Sequence, residues 1–243
     1  MEALFIKILN MSLAASGLIL AAMALRLALR RAPRRLLCLL WALVGLRLLC
    51  PLAPANPWSL APSAQTVPAD IDQTSPPQIR SGIPVLNSAV NPALAQAEPA
   101  QPARREAELR PEKAGAEPAG GWLTALTGVW LAGAGVLGGW SAFAAWRLNR
   151  RMKSARRWQD NVYQTEEAES PFVLGLFRPR IYLPADLPSQ SADYVLAHEQ
   201  SHIRRGDHWI KALGWLILCL HWFNPLVWGA YALLCRDLEL ACD

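Results

Sequence analysis

From Ile8 to Leu25 the chain carries no charged residue, and Leu36 to Ala53 repeats the pattern with Arg47 alone interrupting it. Trp122 to Trp146 makes a third apolar block. At about 1.5 Å per helical residue each block is long enough to span a hydrocarbon core of about 30 Å. Core helices of soluble bundles rarely stay apolar all round for such lengths. Three transmembrane helices are therefore expected, at about 8–25, 36–53 and 121–147. Gly17, Gly45 and the Gly128–Gly139 series serve as close-packing positions within them. The chain is 53% apolar and 18% charged, against about 45–50% and about 25% in soluble domains. That balance excludes a disordered, collagen-like or disulfide-scaffold protein. Cys38, Cys50, Cys219 and Cys235 sit in apolar runs as small hydrophobes, and Cys242 stands apart with no CxxC partner.

Charge sets the topology. Glu2 precedes the first block, whereas Arg26, Arg30, Arg31, Arg34 and Arg35 follow it, the reverse of a cleaved signal peptide. Arg147, Arg150, Arg151, Lys153, Arg156 and Arg157 follow the third block, again without an acid. Both clusters belong in the cytoplasm by the positive-inside rule, so the N-terminus and residues 54–120 lie outside. The net charge of +5 thus reads as membrane topology, with the lipid bilayer as partner and no direct nucleic-acid binding. Residues 51–120 hold 13 of the 19 prolines and hardly an aromatic beyond Trp58. Such a composition cannot bury enough apolar surface to order itself, so this extracytoplasmic loop is expected to be disordered or loosely extended.

Beyond the third block the remaining segment, 148–243, turns polar. Pro171 to Pro184 reads as a small β-hairpin around Arg178-Pro179, and Ser189 to Arg205 as a helix with Ser as a cap and Gly206 past its end. That helix carries His198-Glu199-Gln-Ser-His202. Residues four apart share a helix face, so both imidazoles can reach one metal ion while Glu199 addresses a water on it as catalytic acid/base. A catalytic Zn2+ needs a third protein ligand. Glu239 is the next candidate, with Asp243 one turn on as hydrogen-bond acceptor for a ligand imidazole, and Asp207 as a weaker candidate for that role.

Four motifs carry a resemblance: Ser170–Pro184, Ala197–Arg205, His221-Trp-Phe-Asn-Pro-Leu-Val-Trp228 and Glu239-Leu-Ala-Cys-Asp243. Together they resemble, in order, the BlaR/MecR-type membrane zinc metallopeptidases, the β-lactam-sensing antirepressor family and its relatives. The resemblance covers about residues 158–243, and the upstream three-helix layout is similar too. It implies a bacterial cytoplasmic-membrane protein with a small α+β gluzincin-type peptidase domain at the cytoplasmic face. Zinc would sit on His198, His202 and Glu239. The family's partner is a cytosolic regulator, such as a transcriptional repressor, or the protein itself. Antibiotic-sensing members continue into a fourth helix and a penicillin-binding sensor domain, whereas this sequence stops at Asp243.

If His202 and Glu239 share one zinc, the apolar stretch from Trp209 to Cys235 cannot cross the membrane once. As a straight helix it would part its ends by about 40 Å. A membrane-dipping hairpin over 208–242 is expected instead, with half-helices at about 208–221 and 226–242 broken at Asn224-Pro225. The strands around Val173, Leu174, Gly175 and Ile181 offer an edge to an extended peptide substrate. Tyr194, Arg204 and His208 are the candidates to stabilise an oxyanion. Two other functions compete: a CaaX- or HtpX-like housekeeping membrane protease, and a non-catalytic membrane scaffold that keeps the fold.

Overall fold

The computed structural model describes residues 1–29, 34–50, 66–67, 87–92 and 121–242. It is mostly helical with one small sheet. Helices α1 (Glu2–Ala28), α2 (Arg34–Leu49) and α3 (Gly121–Arg151) precede strands β1 (Arg156–Gln159), β2 (Val162–Thr165), β3 (Phe172–Leu174) and β4 (Arg180–Pro184). Helices α4 (Ser189–Arg205), α5 (Asp207–Leu220) and α6 (Pro225–Leu240) follow. Among the described residues α1 and α3 are long and apolar enough to cross a membrane, whereas the apolar part of α2 falls short of that length.

The chain divides into two compact units, Met1–Ala21 with Leu46–Ala132, and Ala22–Gly45 with Gly133–Asp243. In the first, the Asn10 side chain grips one backbone unit from both sides: its amide donates to the Val67 carbonyl at 2.9 Å and its oxygen accepts from the Val67 N–H at 2.8 Å. The Phe5 and Trp130 rings meet with centroids 5.9 Å apart and planes tilted by 45°. The expectation of a loose segment over 54–120 falls almost wholly outside the described residues.

The second unit holds the sheet, in the order β1-β2-β4-β3. β3 and β4 form the expected hairpin, and β1 and β2 form another; the two join through a parallel β2–β4 pairing from Val162↔Ile181 to Thr165↔Pro184. Gly175 makes the turn after β3 possible. Its φ is 107°, and a Cβ there would meet the Arg178 carbonyl at 2.6 Å. Val162, Ile181 and Leu183 make the core, against which Val195, Leu196 and Ile203 of α4 pack. Spacings of one, seven and eight residues place those three on one stripe of the helix, leaving another for the histidines.

Helix α4 ends at Gly206, whose left-handed φ of 72° lets its N–H reach the His202 and Ile203 carbonyls. Pro188 occupies the position before the helix, so Ser189 opens it rather than capping it. Helices α5 and α6 are joined by a reversal at His221–Asn224. The Asn224 side chain accepts from the Leu226 N–H at 2.9 Å, and Pro225 fills the first helical turn, where its missing N–H costs nothing.

Ile181 is fully buried in this core, so Ile181→Ala is expected to destabilise the second unit by about 2–5 kcal/mol. A thermal melt in detergent checks this; an unchanged melting temperature would contradict the packing described.

Candidate metal centre

Two helices build the site. On α4 the four-residue spacing brings His198 Nε2 to 3.2 Å from His202 Nε2, with the rings edge to face. From α6, Glu239 Oε2 lies 3.1 Å from His202 Nε2. Donors about 2 Å from one tetrahedral zinc lie about 3.3 Å from one another, so His202 stands from each of the other two at a separation that suits shared ligation of one ion.

The surrounding groups fix the chemistry of each donor. His202 Nδ1 lies 2.7 Å from Oδ2 of Asp207, which is 2% exposed. A carboxylate there accepts the Nδ1 proton, leaving the Nε2 lone pair directed at the carboxylate of Glu239. Two acceptors at 3.1 Å repel unless a proton or a metal ion lies between them, and this is the arrangement a cation would relieve. Arg205 lies 3.5 Å from the same Asp207 oxygen. Lys211 donates to Glu239 Oε1 at 2.6 Å and leaves Oε2 to face the imidazole. Burial pushes the Glu239 carboxyl up, but the hydrogen bond and charge of Lys211, with the neighbouring His202 and His198, outweigh it and hold the group below its ordinary value.

His198, His202 and Cys242 form a second possible donor group, within 4.8 Å of one another. Cys242 Sγ, however, approaches the wrong side of the ring, 3.4 Å from His202 Nδ1 and 2.8 Å from Ser201 Oγ. Asp207 already engages that nitrogen, whereas Glu239 faces Nε2.

A cavity of about 470 Å³ opens in front of these groups, lined among others by Glu199, His202, Asp207, His208, Lys211 and Glu239. Val173 and Gly175 line it with Phe172 and Leu176, which sequence reasoning missed; Leu174 and Ile181 are not among its lining residues, and Ile181 points into the core instead. Of the oxyanion candidates His208 lines the cavity, whereas Tyr194 and Arg204 do not. Asp243 lies outside the described residues. Lys211 was also missed, although its place four residues after Asp207 puts both on one face of α5.

Asp207→Ala removes the carboxylate that sets the His202 tautomer and is expected to weaken zinc binding about 10–100-fold. Titration against a competing chelator checks this, with Tyr194→Phe as the variant expected to bind as wild type.

A family model described as BlaR1 peptidase M56 matches residues 6–243. Regulatory protein BlaR1 of Bacillus licheniformis is 40% identical over 78 residues, 31% of this chain and 13% of that protein. The methicillin resistance mecR1 proteins of Staphylococcus aureus and Staphylococcus epidermidis are 28% identical over 86 residues, 34% of this chain and 15% of theirs. The matched segment thus spans about one-seventh of these curated relatives.

Proposed function

We propose that this chain, which belongs to the BlaR1 peptidase M56 family, is a membrane-embedded zinc-dependent endopeptidase that cleaves a cytoplasmic regulatory protein, or itself, in signal transduction. The observation that carries this reading is that His202 Nε2 lies 3.2 Å from His198 Nε2 and 3.1 Å from Glu239 Oε2, beside a cavity that Glu199 also lines. When bound, zinc supplies Lewis-acid polarisation of a water and of the scissile carbonyl. His198, His202 and Glu239 would hold it, Asp207 keeps the Nδ1 proton of His202 in place, and Lys211 turns the Glu239 carboxylate. Glu199 takes the proton of the attacking water and returns it to the leaving nitrogen. Because β3 is an edge strand whose Phe172 and Val173 line the cavity, an extended substrate is held by adding a strand beside it. His208, which lines the cavity where Tyr194 and Arg204 do not, is the group best placed to meet developing negative charge.

The membrane reading rests on α1 and α3 as spans, with α2 as the third and the α5–α6 hairpin dipping into the bilayer from the cytoplasmic face. The arginine clusters that follow α1 and α3 support an N-terminus on the outer side. The signalling role draws on the names of the relatives, one a regulatory protein and the others methicillin resistance proteins.

Detergent-purified protein is expected to hold about one zinc per chain, lost in His202→Ala and in Glu239→Ala. Glu199→Ala is expected to keep the zinc and to lose cleavage of a peptide library that the wild type digests. A well-folded wild type without zinc would sink the peptidase reading and leave a non-catalytic membrane scaffold.

A further inference from the structure

The last turns of α6 carry a second carboxylate that the proposed chemistry does not use. Asp237 is wholly buried, and it is engaged by two helices far away in sequence. From α1, Arg26 Nε donates to both carboxylate oxygens at 2.9 and 3.1 Å, and a terminal guanidinium nitrogen adds a bond to Oδ1 at 2.6 Å. From α2, the Trp41 indole N–H donates to Oδ2 at 2.8 Å. A buried carboxylate that loses its cation becomes an uncompensated charge, so this contact has a sharply preferred geometry.

Asp237 and Glu239 are two residues apart on one helix, about 200° around its axis, so they face nearly opposite sides. One side of α6 is therefore gripped by α1 and α2, and the other presents Glu239 to His202. The remaining polar ties of this turn run to α4 and α5: Arg205 donates to the Leu238 carbonyl at 3.4 Å, Lys211 to Glu239, and Cys242 meets Ser201. Among the described residues, Asp237 is where this turn is hydrogen-bonded by Arg26 of α1 and Trp41 of α2.

We propose that Asp237, clamped by Arg26 and Trp41, is a positioning residue that sets where Glu239 stands against the histidine pair, and that a relative displacement of α1 and α2 is thereby passed to the metal site. The proposal rests on the zinc reading for its consequence, whereas the clamp itself has a test that needs no metal.

That test uses a disulfide reporter. Ser201 Oγ and Cys242 Sγ lie 2.8 Å apart, so Ser201→Cys, in full-length protein with the other four cysteines replaced by alanine, is expected to bond to Cys242 on mild oxidation. Loss of two maleimide-reactive thiols reads the bond. Arg26→Gln and Asp237→Asn are each expected to slow it several-fold in metal-free protein, and Trp41→Phe, which deletes one N–H and keeps the bulk, to slow it less. In the native cysteine background the first two variants are expected to weaken zinc binding about 10-fold or more and to change the visible spectrum of the Co2+-loaded protein. The double variant Arg26→Gln/Asp237→Asn is expected to bind zinc no more weakly than either single variant, because the two side chains act as one unit.

Reporter formation at the wild-type rate in folded Arg26→Gln and Trp41→Phe proteins would overturn the clamp whatever the metal does. Slowed formation with an unaltered zinc affinity and Co2+ spectrum would overturn its link to Glu239. A wild type that forms the reporter bond but takes up no zinc would instead refute the peptidase reading, and with it the clamp's stated consequence.

Discussion

Two imidazoles on α4 and a carboxylate on α6 can meet only because the chain turns back between them. Thirty-six residues separate His202 from Glu239, and most are apolar enough to have formed one straight helix. The reversal at His221–Asn224 prevents that, and it is over-determined. The His221 Nδ1 and its backbone N–H both return to the Ile217 carbonyl, closing α5. Asn224 then caps α6, and Pro225 forbids continuation from the preceding turn. Everything about the centre, from the Lys211–Glu239 ion pair between α5 and α6 to the cavity in front of it, follows from that turn.

Much of this is legible in the local sequence, because it depends on short-range rules. The four-residue spacing of His198 and His202 needs only a helix, and Gly206 past its end needs only the left-handed conformation that glycine allows. Asn224-Pro225 announces a helix start wherever it occurs. The β1–β2 hairpin is a different matter: all four β1 residues are exposed, so Arg156 to Gln159 show no apolar alternation, and the strand exists because β2 needs a partner on the side away from β4. Ile181 likewise looks like any residue of an edge hairpin until the parallel β2–β4 pairing puts it in the centre of the sheet, against α4.

The environment of Asp207 is intermediate between these cases. Its neighbourhood in sequence suggests a solvated turn after Gly206. Yet Gly206 reverses the chain so tightly that the first residue of α5 is carried back under the last turn of α4, where the carboxylate meets His202. Asp207 thereby supplies the imidazole partner that the sequence assigned first to Asp243. Its contact with Nδ1 also sets Glu239 apart from Cys242, since the thiol approaches the nitrogen that a carboxylate already engages and Glu239 faces the other.

Least legible of all is Arg26. At the end of an apolar run it reads as a topological charge reaching for the headgroups, and with four further arginines close by it has no local mark of distinction. Its partner lies 211 residues on. What identifies it is physical: Asp237 has no exposed surface, and a carboxylate in such a place must find a cation or give up its charge. Arginine suits the task better than lysine, because its planar fork satisfies both oxygens at once and leaves one lone pair for the Trp41 indole. The same geometry explains why the contact can transmit position. A lysine could follow a moving carboxylate by swinging its stem, whereas a two-point guanidinium pair with an indole at its side fixes both distance and orientation, so α6 must move with the helices that hold it.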